Sequence, residues 1–298
     1  MTYSKINLKG VHTAIVTPFK NDESIDYEQL RKLIDYQVEN GVAGIVPCGT
    51  TGESPTLSED EQLEVIRETI RAVDGRALVI AGAGSNSTRH AIHLSQKAQD
   101  LGADAILSVN PYYNKPTQEG LYRHFKAVCD SVKIPVILYN IKGRTGVNVE
   151  TATLLRLIED CKNLVAVKEA SGDLNQINDV IRQSPEGFFV LSGDDGLTLD
   201  LIKSGGDGVV SVASNIIPRE MTELVNSALE KNFEKAEALN EKLHPFFKAI
   251  FLETNPIPIK AALAATGKIS EVYRLPLCEM TPENKDQLRQ VMSYSGLL

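Results

Sequence analysis

The sequence predicts an α/β protein, a (β/α)8 TIM barrel with a C-terminal helical extension, and two observations support this prediction. Eight short apolar segments rich in β-branched residues lie within residues 1–212 and alternate with helical patterns. After Asn215 the strand signal stops and only helical patterns follow. Alternating β and α segments indicate a parallel sheet, and eight such units in this length favour a closed barrel. Periodicity alone leaves an open, doubly wound sheet as the alternative.

The eight predicted strands are almost continuously apolar, which is typical of parallel strands that are covered on both faces. Their carboxyl ends should meet at one mouth of the barrel, where barrels of this kind carry their reactive groups. In chain order the segments are Val11–Thr17, Gly44–Pro47, Leu78–Ala81, Ala105–Val109, Pro135–Tyr139, Leu164–Val167, Phe188–Leu191 and Val209–Val212.

Helical patterns fill the intervals between the strands. The segment Tyr27–Asn40 places its large apolar side chains on one stripe, and Ser58 with Glu61 forms a capping-box pattern before the next helix. Three helical patterns end the chain, namely Glu220–Lys231, Phe233–Phe251 and Pro282–Ser295. We therefore predict a barrel over residues 1–224 that carries the reactive groups, and a helical extension over residues 225–298 that packs on it within one structural domain.

Composition narrows the class of protein. Of 298 residues, 42% are hydrophobic and 23% are charged, which excludes a disordered chain, a collagen-like repeat and a coiled coil. The net charge of −8 without a basic block argues against a nucleic-acid surface. The sequence has no run of 18 apolar residues and no signal-peptide pattern, so we expect no membrane partner. The four cysteines form no CxxC pair, which favours reduced thiols in a cytoplasmic protein.

Lys168 closes the sixth predicted strand, so its stem should leave an apolar wall and its ammonium should enter the barrel mouth. Burial there would lower the pKa of the amine. An unperturbed lysine, with a pKa of ~10.4, is roughly 0.04% neutral at pH 7, and a decrease of about three units would raise the reactive fraction near a thousandfold. The alternative is a strand-end lysine paired with Glu169 or Asp194. These residues alone support the two interpretations equally.

Three further groups follow predicted strands. The turn Gly49–Gly52 offers two threonine hydroxyls and backbone N–H groups that suit a carboxylate or phosphate, although such turns also occur without a ligand. Arg144 lies in a loop between glycines, where it would bind a second carboxylate or merely hold the loop. Tyr113, Thr50 and Tyr139 would pass a proton along a chain of hydroxyls, but two tyrosines that cap the core are the simpler interpretation.

Two other patterns are not interpreted as sites. His90 and His93 share a helix at a spacing of three, but no acidic or cysteine ligand set accompanies them in the sequence, so we expect no zinc site. Asp194 and Asp195 have no third carboxylate nearby, so we interpret them as a helix N-terminal cap rather than a magnesium site.

Together these residues resemble the dihydrodipicolinate synthase branch of the pyruvate-dependent class I aldolase superfamily. The similarity runs almost end to end, from the first strand to the segment Asn255–Pro258. Six motifs stand in family order and at family-like spacing, which is far more specific than any one of them. They are GTTGES, NPYYNKP, YNxxGRTG, VKEASGD, LSGDD and GGDGVVSV.

The resemblance implies a lyase that condenses pyruvate with L-aspartate-4-semialdehyde in lysine and diaminopimelate biosynthesis. It implies that Lys168 forms a Schiff base with pyruvate, and that Tyr139 donates and accepts protons through a link from Thr50 to Tyr113. In this family Tyr113 reaches in from the neighbouring subunit of a tight dimer, and two such dimers form a homotetramer. No metal or organic cofactor is implied, because the lysine supplies the electron sink.

The resemblance also implies substrate contacts. Thr51 would hold the pyruvate carboxylate through its hydroxyl and backbone N–H, Gly193 would line the site, and Val210 would add a main-chain contact. Arg144 would bind the carboxylate of the second substrate. The family often has a proline followed by glycine or serine before this arginine; here Lys142 and Gly143 stand instead, which should loosen the turn that aims it.

The family's inhibitor cleft for L-lysine is matched only in part. Three positions fit, namely Ser54, Asn86 and Tyr112. Two positions where sensitive enzymes often carry histidine are Glu59 and Gln62, and the usual glutamate is His90. We therefore expect weak or absent inhibition by L-lysine.

Two other functions stay open at this point. An aldolase for a sialic acid or a 2-keto-3-deoxy sugar acid would share the fold, but such relatives tend to have serine before threonine in the GxTGE turn and to lack the arginine of GRTG. Thr50, Thr51 and Arg144 therefore favour the synthase. The other alternative, a catalytically silent pyruvate-binding or scaffold protein, has no reason to retain the four proposed catalytic residues.

Overall fold

The protein forms a closed parallel barrel of eight strands, each hydrogen-bonded to the next in chain order and the last to the first. The structure is a computed structural model that describes residues 6–298. The strands are β1 (Gly10–Ala14), β2 (Gly44–Val46), β3 (Leu78–Gly82), β4 (Ala105–Val109), β5 (Val136–Asn140), β6 (Leu164–Glu169), β7 (Phe189–Ser192) and β8 (Gly208–Ser211). The predicted TIM barrel is confirmed, and the open-sheet alternative is excluded.

Twelve α-helices occur within residues 6–298. They are α1 (Tyr27–Glu39), α2 (Glu59–Val73), α3 (Thr88–Leu101), α4 (Gln118–Ser131), α5 (Lys142–Thr145), α6 (Thr151–Asp160), α7 (Leu174–Gln183), α8 (Thr198–Lys203), α9 (Pro218–Leu229), α10 (Phe233–Ala249), α11 (Ile257–Ala265) and α12 (Pro282–Tyr294). The capping box at Ser58 and Glu61 is confirmed at the start of α2. None of the helices in the described range has the length and apolar character to cross a membrane.

The helical patterns expected at the end of the chain are present, but α11 was not predicted. Seven of its nine residues are buried, so it has no polar face that would give a helical period. The division into residues 1–224 and 225–298 stays a prediction. Residue 224 lies within α9, so the proposed boundary divides a helix.

Two apolar layers hold the barrel together. One lies between the strands and the surrounding helices, and the other fills the barrel interior with side chains such as Leu8, Ile80, Ile137 and Val210. The interior layer ends at the mouth of the barrel formed by the carboxyl ends of the strands, and Tyr139 is part of this layer. Lys168 of β6 is the register partner of Tyr139 on β5. The mouth is therefore the place where the apolar interior gives way to reactive side chains.

Candidate active site

The centre of the site is the amine of Lys168, which the carboxyl end of β6 places inside the barrel mouth. The residue is 6% exposed, and its Nζ lies 4.1 Å from the centroid of the Tyr139 ring. Burial lowers the pKa of Lys168 from 10.5 to about 7, Arg144 acts in the same direction, and the carboxylate of Asp195 opposes both. About half of the amine is therefore neutral at pH 7.

The alternative, in which Lys168 is held by Glu169 or Asp194, does not occur. Glu169 accepts hydrogen bonds from the Ser171 N–H (2.7 Å) and the Asn140 amide (3.2 Å), and Asp194 caps the N–H of Gly196 (2.8 Å). Within residues 6–298 no carboxylate forms an ion pair with the Lys168 amine.

Asp194 and Asp195 differ in role, although both were interpreted as a helix cap. Asp194 is the cap of the short turn that starts at Asp195. Asp195 is buried, and it accepts hydrogen bonds from the Ser211 hydroxyl (2.5 Å) and from the N–H groups of Val212 and Ala213 (3.0 and 2.9 Å). Burial raises its pKa to about 6 in spite of these donors. It is thus a buried carboxylate that fixes the loop after β8.

The turn after β2 places Thr50 and Thr51 in the lining of the cavity at the barrel mouth that also contains Lys168. Thr51 is buried, and the turn is closed by a hydrogen bond from the Gly52 N–H to the Gly49 carbonyl (3.1 Å). The Thr17 hydroxyl donates to the Gly52 carbonyl at 2.7 Å. A Cβ on Gly82 would lie 2.2 Å from the Cys48 carbonyl oxygen, so only glycine lets β3 approach this turn.

Tyr139 and Thr50, two members of the predicted hydroxyl chain, line the same cavity. Burial raises the pKa of Tyr139 to about 12, while Arg144 and the neighbouring Thr50 side chain act against the increase. Tyr113 is not in the cavity. It is 89% exposed and stands on a left-handed backbone turn with φ 72°. Within a single chain the structure does not bring the predicted chain of three hydroxyls together.

Arg144 lines the cavity from α5, the turn that contains Lys142 and Gly143. Its Nη2 donates to the carbonyl oxygen of Asn255 at 3.1 Å. The turn is closed by a hydrogen bond from the Thr145 N–H to the Ile141 carbonyl (3.2 Å), so α5 has a defined helical form without proline.

The remaining predicted residues divide into two groups. Gly193 lines the cavity, and a Cβ at this position would lie 3.0 Å from Lys168 Cε, so the missing side chain leaves room beside the amine. Val210 is buried in the barrel interior below the cavity, and Val212 is the β8-side residue that lines it. The main-chain contact expected of Val210 stays a prediction.

Two residues that the sequence reasoning did not assign also line this cavity of about 100 Å³, namely Phe251 and Asn255. The Asn255 amide donates to the Thr51 hydroxyl at 3.0 Å. The only sequence signal for Asn255 was its place in the Asn255–Pro258 segment of the resemblance.

A second, larger cleft of about 460 Å³ opens beside the first. Its lining includes Ser54, Gln62, His90, Leu94 and Tyr112. The Gln62 amide already donates to the carbonyls of Ser54 (3.0 Å) and Leu57 (3.3 Å). This cleft contains several positions of the predicted inhibitor site.

The two helical histidines have one acidic neighbour, Glu59, which the sequence analysis did not identify. Glu59 of α2 lies 2.8 Å from Nε2 of His93 and 3.6 Å from Nε2 of His90, because α2 and α3 pack side by side. Across residues 6–298, no set of three such side chains has an arrangement that suits a metal ion.

The arrangement is suited to covalent capture of a carbonyl compound. A half-neutral amine is a nucleophile, a tyrosine and a threonine beside it have hydroxyls of the kind that can exchange protons, and a threonine turn and an arginine flank it with groups of the kind that can bind an anion. The amine therefore has neighbours that match a small keto acid.

Comparisons with known proteins agree with this reading. A family model described as the dihydrodipicolinate synthetase family matches residues 7–295. A 4-hydroxy-tetrahydrodipicolinate synthase of Syntrophus aciditrophicus (strain SB) is 56% identical over 97% of this chain and 99% of that protein. The crystal structure of dihydrodipicolinate synthase from Aquifex aeolicus superposes with a TM-score of 0.96 at 47% identity, covering 97% of this chain and 99% of that one.

A solved structure described as a monomeric dihydrodipicolinate synthase variant has a TM-score of 0.95 at 47% identity, covering 97% of each chain. The agreement extends over sequence, fold and nearly full length. This chain belongs to the dihydrodipicolinate synthetase family.

Proposed function

We propose that this protein is a lyase that condenses pyruvate with L-aspartate-4-semialdehyde to form 4-hydroxy-tetrahydrodipicolinate, the step that serves lysine and diaminopimelate biosynthesis. The observation that carries the proposal is the Lys168 amine, buried at the barrel mouth with a pKa of about 7 and in contact with Tyr139. The similarity to 4-hydroxy-tetrahydrodipicolinate synthases supports the choice of substrates.

The reaction begins with attack of the neutral Lys168 nitrogen on the keto carbon of pyruvate. The resulting carbinolamine loses its hydroxyl as water, and the proton for this departure comes from Tyr139, which recovers it through Thr50. The iminium then withdraws electrons from the neighbouring methyl group, which loses a proton to the chain of Tyr139 and Thr50 and leaves an enamine nucleophile.

Pyruvate needs a fixed orientation for these steps. We assign its carboxylate to the hydroxyl and backbone N–H of Thr51, and its remaining edge to the space beside Gly193 and the main chain of Val210. The buried position of Thr51 and the missing side chain of Gly193 support this assignment. Hydrogen bonds to a charged carboxylate are stronger than those between neutral groups.

The enamine carbon attacks the aldehyde carbon of the second substrate, whose oxygen takes a proton to become the hydroxyl group. The amino group of that substrate then attacks the iminium carbon, closes the ring and releases the Lys168 amine. We assign the carboxylate of the second substrate to the guanidinium of Arg144, which lines the cavity and forms no ion pair within the described residues.

The hydroxyl chain requires a third member, and we propose that Tyr113 of a neighbouring subunit supplies it. The exposure of Tyr113 on a strained turn supports a role at an interface rather than in its own barrel. We propose a homotetramer built from two such dimers, located in the cytoplasm, where its four free cysteines would stay reduced.

Borohydride trapping tests the proposal. Incubation with pyruvate and borohydride, followed by digestion and mass spectrometry, should place the adduct on Lys168. Lys168→Ala should abolish it while the barrel stays folded, and a matched change at the exposed Lys133 should retain it. Turnover of the Lys168→Ala variant at the wild-type rate would contradict the assignment.

The substrate is tested separately. Addition of L-aspartate-4-semialdehyde, coupled to a reductase that consumes the product, should give turnover. An adduct on Lys168 without this turnover would favour a sugar-acid aldolase. The absence of any adduct would favour a silent binding protein.

A further inference from the structure

Among residues 6–298, one ion pair is fully buried, and the proposed reaction does not use it. Lys260 of α11 donates through its Nζ to Oε1 of Glu53, and both side chains are 0% exposed. The amine also lies 4.3 Å from the ring centroid of Phe19 and 5.2 Å from that of Tyr273. Burial of two charges carries a large desolvation cost, so such a pair is weak evidence for stability. It does, however, fix the relative position of the two elements that carry it.

The first of these elements is the turn that holds the predicted carboxylate site. Glu53 ends the turn, its N–H donates to the Thr50 carbonyl at 3.1 Å, and its backbone is left-handed with φ 56°. This conformation is unfavourable for a residue with a side chain. Because the Glu53 carboxylate is held by Lys260, the ion pair maintains a strained residue two positions from Thr51.

The second element is the segment that leads into α11. Asn255 donates to the Thr51 hydroxyl at 3.0 Å, and its carbonyl accepts from Arg144 at 3.1 Å. The Lys260 N–H continues the same segment by donating to the Pro256 carbonyl at 3.0 Å. One short piece of the C-terminal part of the chain therefore contacts both anion-binding groups of the cavity, and Lys260 anchors it to the turn.

We propose that Lys260 is a positioning residue: through Glu53 it holds the Thr50–Thr51 turn in the geometry that binds the keto-acid carboxylate. The segment 255–260 is then part of the active site rather than an appendage of the barrel. This inference rests on the proposed function, because it assigns the turn to the pyruvate carboxylate.

Loss of the ion pair between Lys260 and Glu53 should affect only substrates that carry a carboxylate. Displacement of a binding group by about 1 Å is enough to lower a rate by ~100-fold. A displaced Thr51 loses its contact with a carboxylate but leaves the Lys168 amine intact. Capture of a keto acid should therefore fall, while capture of a methyl ketone without a carboxylate should not.

The experiment compares Lys260→Met, Glu53→Gln and the wild type. Lys285→Met is the matched control, because it breaks another ion pair of the C-terminal region, at 2.6 Å to Glu271, that lies outside the cavity. Each protein is incubated with cyanoborohydride and either pyruvate or hydroxyacetone, and the adduct at Lys168 is measured over time. The KM for pyruvate and kcat are measured in parallel.

We expect Lys260→Met and Glu53→Gln to trap pyruvate at least about tenfold more slowly than the wild type, to raise the KM for pyruvate, and to trap hydroxyacetone within about twofold of the wild type. Lys285→Met should match the wild type with both probes. Equal slowing with both probes, or unchanged trapping of pyruvate, would overturn the inference. Glu53→Gln keeps the side-chain shape and decides the question if Lys260→Met does not fold.

Failure of the proposed function is visible separately in this experiment. Wild-type protein that forms no pyruvate adduct on Lys168 removes the proposed function, and with it the assignment of the turn. If the wild type forms the adduct and the variants trap pyruvate as fast as the wild type, only the proposed role of Lys260 is contradicted.

Discussion

The charge of Lys168 is the quantity on which the proposed reaction depends most directly. With a pKa of about 7 instead of 10.5, the neutral fraction at pH 7 rises from about 0.03% to about one half. This is a gain of about 1,500-fold in reactive amine. Below pH 7 the amine becomes charged and the rate of imine formation should fall about tenfold per pH unit; above about pH 8 it should level off.

Two substitutions should move this midpoint in opposite directions. Asp195→Asn removes a carboxylate that raises the pKa of Lys168, so the midpoint should move to lower pH. Arg144→Met removes a cation that lowers the pKa, so the midpoint should move to higher pH. Asp195, with a pKa of about 6, is mostly ionised above pH 7, so its charge is present as Lys168 loses its proton.

The assay is the initial rate of cyanoborohydride trapping with subsaturating pyruvate between about pH 5.5 and 9, with the adduct quantified by mass spectrometry. Lys133→Met serves as the control for loss of a surface cation. A wild-type midpoint near pH 10, or shifts of both variants in the same direction, would refute the view that burial and these two charges set the reactivity of Lys168.

Four further outcomes follow from the structure. Tyr113→Phe should lower turnover by about 100-fold or more in a coupled assay, because it removes the last hydroxyl of the proton chain. Arg144→Ala should raise the KM for L-aspartate-4-semialdehyde by about tenfold to 100-fold, since hydrogen bonds to a charged partner contribute about 1.5–3 kcal/mol. Burial lowers the pKa of His12 from 6.5 to about 4, so the unfolded state binds more protons than the folded state between these two pH values. The free energy of unfolding therefore decreases as the pH is lowered from 6.5 to about 4. Urea unfolding at pH 7 and pH 4 should show a loss about 3 kcal/mol larger in the wild type than in His12→Gln. Submillimolar L-lysine should inhibit steady-state turnover weakly or not at all, because His90 offers no carboxylate and Gln62 already uses its amide donors.

Each of these outcomes has a control and a contradicting result. Tyr112→Phe should retain turnover, and an unimpaired Tyr113→Phe would remove the proposed proton chain. A higher KM for pyruvate alone in Arg144→Ala would reassign the arginine to the first substrate. Equal pH dependence in the wild type and His12→Gln would show that this histidine is not the titrating group. Complete inhibition by submillimolar L-lysine would refute the inference from the cleft.

Much of the fold follows from local patterns. Near-continuous apolar runs predicted all eight strands, because a strand that is covered on both faces has few polar positions. Burial on all sides also explains why α11 was not predicted. Nearly all of its residues are buried, so its sequence lacks a helical period. A short apolar run can be assigned to a buried strand from its length. A helix that is buried on all sides lacks the alternation of polar and apolar residues by which a helix is recognised in a sequence.

The site was predictable only in part. Lys168, Tyr139 and the threonine turn could be selected from the sequence because they lie at the ends of predicted strands, and parallel strands bring their carboxyl ends to one mouth of the barrel. Asn255 and Lys260 were missed, since more than 200 positions separate them from Thr51 and Glu53 and no local pattern reports such a contact. The neighbour of His90 and His93 was missed for a similar reason, because Glu59 comes from the adjacent helix.

The sequence by itself determined the order of the eight strands and the family, and it indicated the candidate reactive groups, because these depend on residue type and on spacing along the chain. Only the tertiary structure decided that no carboxylate within residues 6–298 forms an ion pair with Lys168, that Tyr113 is exposed outside the cavity of its own barrel, and that a C-terminal segment contacts the threonine turn. The physical reason is that burial and charge proximity depend on contacts between distant parts of the chain, which exist only after the barrel has closed.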